Sequence, residues 1–83
     1  MVPNRPFMKT TEHLKLHYPL DRISEPILTR LVTDFDIEPN LIRADVDASS
    51  GGWVVLRVTG EPETLASARA WISAQGITVS EAQ

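Results

Sequence analysis

The spacing of apolar residues switches repeatedly between two periods, and this constrains the fold of the chain more than any other feature. Leu14, Leu16 and Tyr18 alternate with polar residues, which is typical of a half-buried strand. The next apolar residues fall at helical spacing and form one stripe: Ile27, Leu28, Leu31, Val32 and Phe35. Two alternating segments, a second helical stripe and a short apolar segment follow. The predicted order is therefore strand, helix, strand, strand, helix, strand.

Capping residues predict the boundaries in the first half of the chain. Residues 1–10 contain two prolines and no apolar period, so we expect a flexible N-terminal arm. Ser24 is predicted to cap the first helix, with Glu25 and Pro26 in its first turn. This helix is expected to end near Phe35, because the proline that soon follows favours extended backbone in the residue before it.

Turn residues predict the boundaries in the second half. Asn40 is expected to open the second strand, and the Ser-Ser-Gly-Gly sequence at 49–52 predicts a hairpin turn. The third strand is predicted over residues 53–60. Pro62 and Gly76 are favourable residues for the start and the end of the second helix.

These elements predict a ferredoxin-like α+β sandwich. Right-handed crossovers give a four-stranded antiparallel sheet in the order 4-1-3-2, with both helices on one face and a last strand over residues 77–81. Strand parity predicts the residues that face the helices: Ile42, Ala44, Val46 and Ala48 on the second strand, and Val54, Leu56 and Val58 on the third.

Composition excludes several classes of protein. The chain is long enough for one small domain, and its 42% hydrophobic residues are enough for one core. The absence of cysteine excludes disulfides, thiolate zinc sites and iron–sulfur ligation. A net charge of −3 disfavours nucleic-acid binding. With no membrane-length apolar run and no signal-like apolar stretch near the start, the expected location is cytoplasmic.

The sequence of motifs resembles the NIL domain, which is named for an asparagine–isoleucine–leucine motif at the start of its second strand. Here the motif reads Asn40-Leu41-Ile42, with the two aliphatic residues exchanged. The resemblance covers roughly residues 12–81, so we expect one NIL-like domain over residues 11–83. It also rests on these segments: Ser24-Glu25-Pro26-Ile27-Leu28, Asp36-Ile37, Ala70-Trp71-Ile72 and Gln75-Gly76-Ile77.

The resemblance implies a regulatory role. NIL domains occur at the C-terminus of methionine-importing ABC ATPases, where they bind methionine and inhibit transport, and they also occur fused to ferredoxins or alone. They usually form dimers. These 83 residues contain no phosphate-binding glycine loop, so we expect them to supply the regulatory module without an ATPase.

The resemblance also implies a ligand site at Asn40, because an amide can both donate and accept hydrogen bonds to a bound amino acid. Ile37 and Leu41 would supply apolar surface for a thioether side chain. The alternative is that Asn40 caps the turn after Pro39 through its own backbone.

The face of the sheet without helices is predicted to carry two arginines, Arg43 and Arg57, directly opposite each other. Their repulsion is relieved either by Asp45 on the diagonal or by a bound anion. Parity also pairs Asp45 with Val55, and Asp47 with Trp53. The residues expected to form a partner or dimer interface are Leu41, Arg43, Trp53, Val55 and Arg57.

Metal and catalytic sites have no support in the sequence. His13 and His17 lie about 13 Å apart along one extended strand, too far to share an ion within one subunit. The serines occupy cap, turn and surface positions, and no spacing indicates a nucleophile with its base. We expect neither a cofactor nor enzymatic activity.

Two functions remain at this point. The first is a regulatory module that binds methionine or a related sulfur amino acid. The second is a protein-interaction module without a small ligand, which docks through its sheet face or an edge strand. A homodimer is expected in either case, with a transporter or a sulfur-metabolism protein as partner. An RNA-binding sheet would need a second aromatic residue beside Trp53 on the central strands.

Overall fold

The sheet has the predicted topology. The computed structural model describes residues 8–82, and its strands lie in the order β2-β3-β1-β4, all antiparallel. The elements are β1 (Thr10–Tyr18), a 3-10 turn (Leu20–Arg22), α1 (Ile27–Phe35), β2 (Glu38–Asp47), β3 (Gly51–Gly60), α2 (Pro62–Ala74) and β4 (Thr78–Glu81). The ferredoxin-like α+β prediction is confirmed.

The core lies between the two helices and one face of the sheet. Its strand residues come from β1 and β3, where every second side chain faces the helices, as alternation requires. The core contains Leu14, Leu16, Tyr18, Ile27, Leu31, Ile37, Val54, Leu56, Val58, Leu65, Ala68, Ile72 and Ile77. Val54, Leu56 and Val58 therefore face the helices as predicted.

The first helix begins later than predicted, at Ile27 rather than after Ser24. The backbone N–H of Glu25 donates to the carbonyl of Arg22 at 3.1 Å, and that of Ile27 donates to Glu25 at 2.8 Å. These bonds fold residues 22–27 into tight turns that use the groups a helix would need, so Ser24 is not the N-cap. The predicted end near Phe35 is confirmed, because Asp36 adopts the left-handed conformation (φ 54°) that closes a helix.

The second strand differs most from the prediction. β2 begins at Glu38 rather than Asn40 and includes Pro39, which an edge strand tolerates because half of its N–H groups face away from the sheet. A β-bulge interrupts its register with β3 between Leu41 and Arg43. The extra residue, Ile42, reverses the parity that simple alternation assigns to the residues before it.

Because β2 lies at the edge, the inward residues predicted for it are not core residues. Ile42 is 45% exposed and Val46 is also exposed, while Ala48 lies in the turn after the strand. Ala44 pairs with Val54 but stays exposed. The prediction that this strand contributes to the core is wrong.

Smaller differences occur elsewhere. The ladder of β3 starts at Gly51, whose positive φ of 85° lets the strand leave the turn two residues before Trp53. The first seven residues of the predicted arm lie outside the described residues, and Thr10 already belongs to β1. Pro62 opens α2 as predicted, and Gly76 (φ 85°) follows its end. No helix within residues 8–82 has the length and apolarity needed to cross a membrane.

Candidate functional site

The outer face of the sheet, meaning the face without helices, carries polar residues in rows across the strands. Arg57 on β3 lies between Asn40 on β2 and His13 on β1. In the next row Val55 lies between Arg43 and Lys15. Directly opposite residues share a face, so these side chains form one surface.

This register corrects the predicted cross-strand pairs. Arg43 lies opposite Val55 rather than Arg57, Asp45 lies opposite Trp53, and Asp47 lies opposite Gly51. The hairpin turn is centred on Ser49, between the paired residues Asp47 and Gly51, so each partner lies two residues earlier on β3 than predicted. The two arginines are therefore diagonal neighbours, and within residues 8–82 neither forms an ion pair. The directly opposed pair of arginines, which Asp45 or an anion was expected to relieve, is therefore not formed.

Trp53 holds two cations over its ring. The Lys15 Nζ lies 4.8 Å from the ring centroid, and the Arg43 guanidinium carbon lies 5.8 Å from it. These contacts draw both side chains along the face, across Val55. Val55 is only 8% exposed, so it does not offer the apolar surface that was predicted for a partner.

The three predicted ligand contacts do not converge within one subunit. Asn40 lies on the outer face opposite Arg57, whereas Leu41 lies opposite Leu56 and faces the helix side. Ile37 is 2% exposed and belongs to the core. Ile37 is therefore a core residue with almost no surface exposed to a ligand, and the expectation that Leu41 shares the outer face is wrong.

Asn40 does not cap a turn. It lies inside β2, and its side chain makes no hydrogen bond to any residue in the described part of the chain. The side chain is exposed. The amide is therefore available to a ligand or to solvent, and the alternative interpretation from the sequence loses its basis.

Asn40 lines a concave pocket at the end of the outer face. The pocket has a volume of about 330 Å³ and is lined by Glu38, Pro39, Asn40, Arg57 and Thr59. We call it the Asn40 pocket. The Thr59 hydroxyl lies 3.0 Å from the Thr11 hydroxyl on β1, while Glu38 and Arg57 have no ion-pair partner within residues 8–82. The pocket therefore offers an amide, a carboxylate and a guanidinium.

Sequence reasoning missed Glu38 and Thr59 as neighbours of Asn40. The available signal was the pair of adjacent apolar residues Leu41 and Ile42, which breaks the alternation of the strand. Such a break is a sign of a bulge, and a bulge reverses the facing of everything on one side of it.

An exposed apolar strip runs along β2 on its other side. Leu41, Ile42 and Val46 are each about half exposed, as is Val32 on α1. Val46 and Leu28 also line a second pocket of about 190 Å³, together with Val54. We use the name β2 strip for the four exposed residues Val32, Leu41, Ile42 and Val46. Nothing within residues 8–82 covers them.

Phe35 on α1 and Trp71 on α2 form an aromatic pair. Trp71 is partly buried against the core as predicted, and its ring lies 5.4 Å from that of Phe35. The Arg30 guanidinium carbon lies 5.3 Å from the centroid of the Trp71 ring, and the Arg30 Nε donates to the Asp34 carboxylate. The hydrogen bond from Arg30 holds the pKa of Asp34 below its usual range.

The two histidines lie on the exposed side of β1, each opposite a different β3 residue. Across residues 8–82, no three histidine or acidic side chains are grouped so that they could hold a metal ion.

Comparison with known proteins identifies the family. The NIL domain model matches residues 12–81. Among solved structures, the C-terminal domain of an ABC transporter ATP-binding protein from Enterococcus faecalis superimposes with a TM-score of 0.74 at 14% sequence identity, over 84% of this chain and 81% of that one. No curated protein matches significantly. The match over most of the chain, together with the confirmed fold, shows that this protein belongs to the NIL domain family.

Proposed function

We propose that this chain is a regulatory module that binds a free amino acid, methionine or a related sulfur amino acid. Membership of the NIL family supports a regulatory role, since the resemblance implies methionine binding and inhibition of transport. The likeness to a domain of an ABC transporter ATP-binding protein agrees with this role at the level of the fold. A transporter or a sulfur-metabolism protein in the cytoplasm is the proposed partner.

The observation that carries the proposal is the position of Asn40. Its amide is exposed, makes no hydrogen bond to residues 8–82, and lines a pocket together with Arg57. Leu41 is the next residue of β2 and is half exposed, so a ligand bound at this end of the strand can contact both Asn40 and Leu41. Leu41 would then supply the apolar surface for a thioether side chain, without any contribution from Ile37.

We also propose that the module works as a homodimer formed along β2. The outer row of N–H and C=O groups of this strand has no pairing partner in the sheet, and the β2 strip is apolar and exposed. A second copy would satisfy both features. The proposed interface is therefore the β2 strip. It keeps Leu41 from the predicted set and leaves out the outer-face residues Arg43, Trp53, Val55 and Arg57.

The ligand proposal is tested by calorimetry and thermal melting with L-methionine. Millimolar methionine should raise the melting temperature of the wild type. Asn40→Ala should weaken binding by roughly 1–3 kcal/mol, about five- to hundred-fold, with little change in melting temperature. Thr78→Ala on the far edge strand is the matched control and should bind normally. If Asn40→Ala lowers the melting temperature while binding is unchanged, Asn40 is structural.

The dimer proposal is tested by sedimentation. Replacing Ile42 or Val46 by Glu should shift the chain towards the monomer, because a charge on the β2 strip opposes burial there. Thr78→Glu provides the control on the opposite edge. A wild type that sediments only as a 9.2 kDa species at tens of micromolar would refute the proposal.

The exposed β2 strip also supports the second candidate function, a protein-interaction module without a small ligand. Two measurements together distinguish the two functions. If no sulfur amino acid changes the melting temperature, while Val46→Glu abolishes association with the protein that co-purifies with the wild type, the interaction module is the function.

A further inference from the structure

The Asn40 pocket combines opposite charges that have not paired with each other. Glu38 and Arg57 both line it, yet no ion pair joins them, and neither has another ion-pair partner within residues 8–82. Glu38 lies opposite Thr59, and Arg57 lies opposite Asn40, so the two charged residues are diagonal neighbours on the outer face and both border the pocket.

This arrangement favours one class of ligand over simpler ions. An inorganic anion attracted by Arg57 would be repelled by Glu38, and a simple amine attracted by Glu38 would be repelled by Arg57. A free α-amino acid satisfies both, because its carboxylate and its ammonium are attached to the same carbon atom. The Asn40 amide can donate to the first group or accept from the second.

We infer that the Asn40 pocket is a subsite for the charged main-chain groups of a free amino acid, with Arg57 binding the carboxylate and Glu38 binding the ammonium. This inference rests on the proposed function and adds to it two specificity residues, one on β3 and one on β2. The site selects for a free amino acid and against the same side chain within a peptide, whose main chain carries neither charge. The side chain of the ligand is then read outside this pocket.

The inference is tested with ligands that each lack one charge. L-methionine, L-methioninol (which has no carboxylate) and N-acetyl-L-methionine (which has no ammonium) are titrated by calorimetry into the wild type, Arg57→Gln and Glu38→Gln. The wild type should bind methionine about tenfold tighter than either analogue, as expected for loss of one charge-assisted hydrogen bond at an open site. L-homocysteine and L-cysteine extend the series to other sulfur amino acids.

The variants should lose discrimination in a complementary pattern. Arg57→Gln should weaken methionine about tenfold but leave methioninol unchanged, and Glu38→Gln should weaken methionine but leave N-acetylmethionine unchanged. Lys15→Gln and Glu81→Gln remove the same charges from exposed positions outside the pocket and serve as controls. Melting curves establish that each variant is folded.

The outcomes separate the two proposals. If none of the sulfur amino acids binds the wild type at millimolar concentration, the proposed function and this inference both fail. If methionine binds but both analogues bind equally well, or if Lys15→Gln weakens binding as much as Arg57→Gln, the inference fails and the proposed function stands. The complementary pattern supports both.

Discussion

The β-bulge in β2 makes a quantitative prediction about two aliphatic residues. Simple alternation places both Ile42 and Leu56 towards the helices, which would make them equally important for stability. In the structure Leu56 is 0% exposed at the centre of the core, whereas Ile42 is 45% exposed at the bulge. Truncation of the two side chains to Ala should therefore have very different costs.

The two costs follow from burial. Leu56→Ala loses the transfer free energy of a fully buried side chain, about 2 kcal/mol, and leaves a cavity among the packed residues, for a total of about 3 kcal/mol. Ile42→Ala loses about half of a similar transfer free energy, since nearly half of the residue is exposed to water. No cavity forms at an open surface. We expect about 1 kcal/mol or less for Ile42→Ala.

The measurement is urea denaturation at low micromolar concentration, where association through β2 contributes least. Each variant should keep the m-value of the wild type, so that the shift in midpoint reports stability. Val58→Ala, a smaller truncation at another buried position, replaces Leu56→Ala if that variant does not fold. Equal costs for Ile42→Ala and Leu56→Ala would refute the bulge and the reversed facing of Asn40 with it.

Three further predictions concern other parts of the fold. Burial raises the pKa of Tyr18 to about 12, above its ordinary value of 10.0. The folded state therefore holds the phenolic proton of Tyr18 more tightly than the unfolded state does, and the free energy of unfolding should fall as the pH rises from about 10 towards 12. In melting curves at alkaline pH, Tyr18→Phe should remove this loss. Gly52→Ala should destabilise by about 1–3 kcal/mol in urea, because a Cβ there would lie 2.3 Å from the Asp45 carbonyl oxygen on the neighbouring strand. The backbone N–H of Ser49 donates to the Asp47 carboxylate, and so does the Ser49 hydroxyl; these two hydrogen bonds hold the pKa of Asp47 below its usual range. Asp47 should therefore stabilise the turn at neutral pH and lose this effect as the pH falls through the lowered pKa. Acid titration of Asp47→Asn should accordingly show a shallower loss of stability than the wild type.

The sequence was sufficient to predict the strands and helices that are buried on one side. In β1 and β3 each inward residue packs against a helix, so Leu14, Leu16 and Leu56 repeat with the period of a strand. The stripe of α2 follows the same logic with the period of a helix. Strand order followed from these elements, because the chirality of the two crossovers leaves few alternatives for a chain of this length.

Only the tertiary structure decided the facing of β2 and therefore the candidate site. An edge strand with a weakly covered inner side has no strict demand for apolar residues there, so its pattern does not fix which residues point inward. Leu41 and Ile42 fit either parity, and the bulge between Leu41 and Arg43 decides the facing by placing Asn40 opposite Arg57. The pocket is formed by side chains from β2 and β3 that are brought together by pairing between strands. The adjacent apolar residues Leu41 and Ile42 signal a bulge, but they do not specify the register of that pairing.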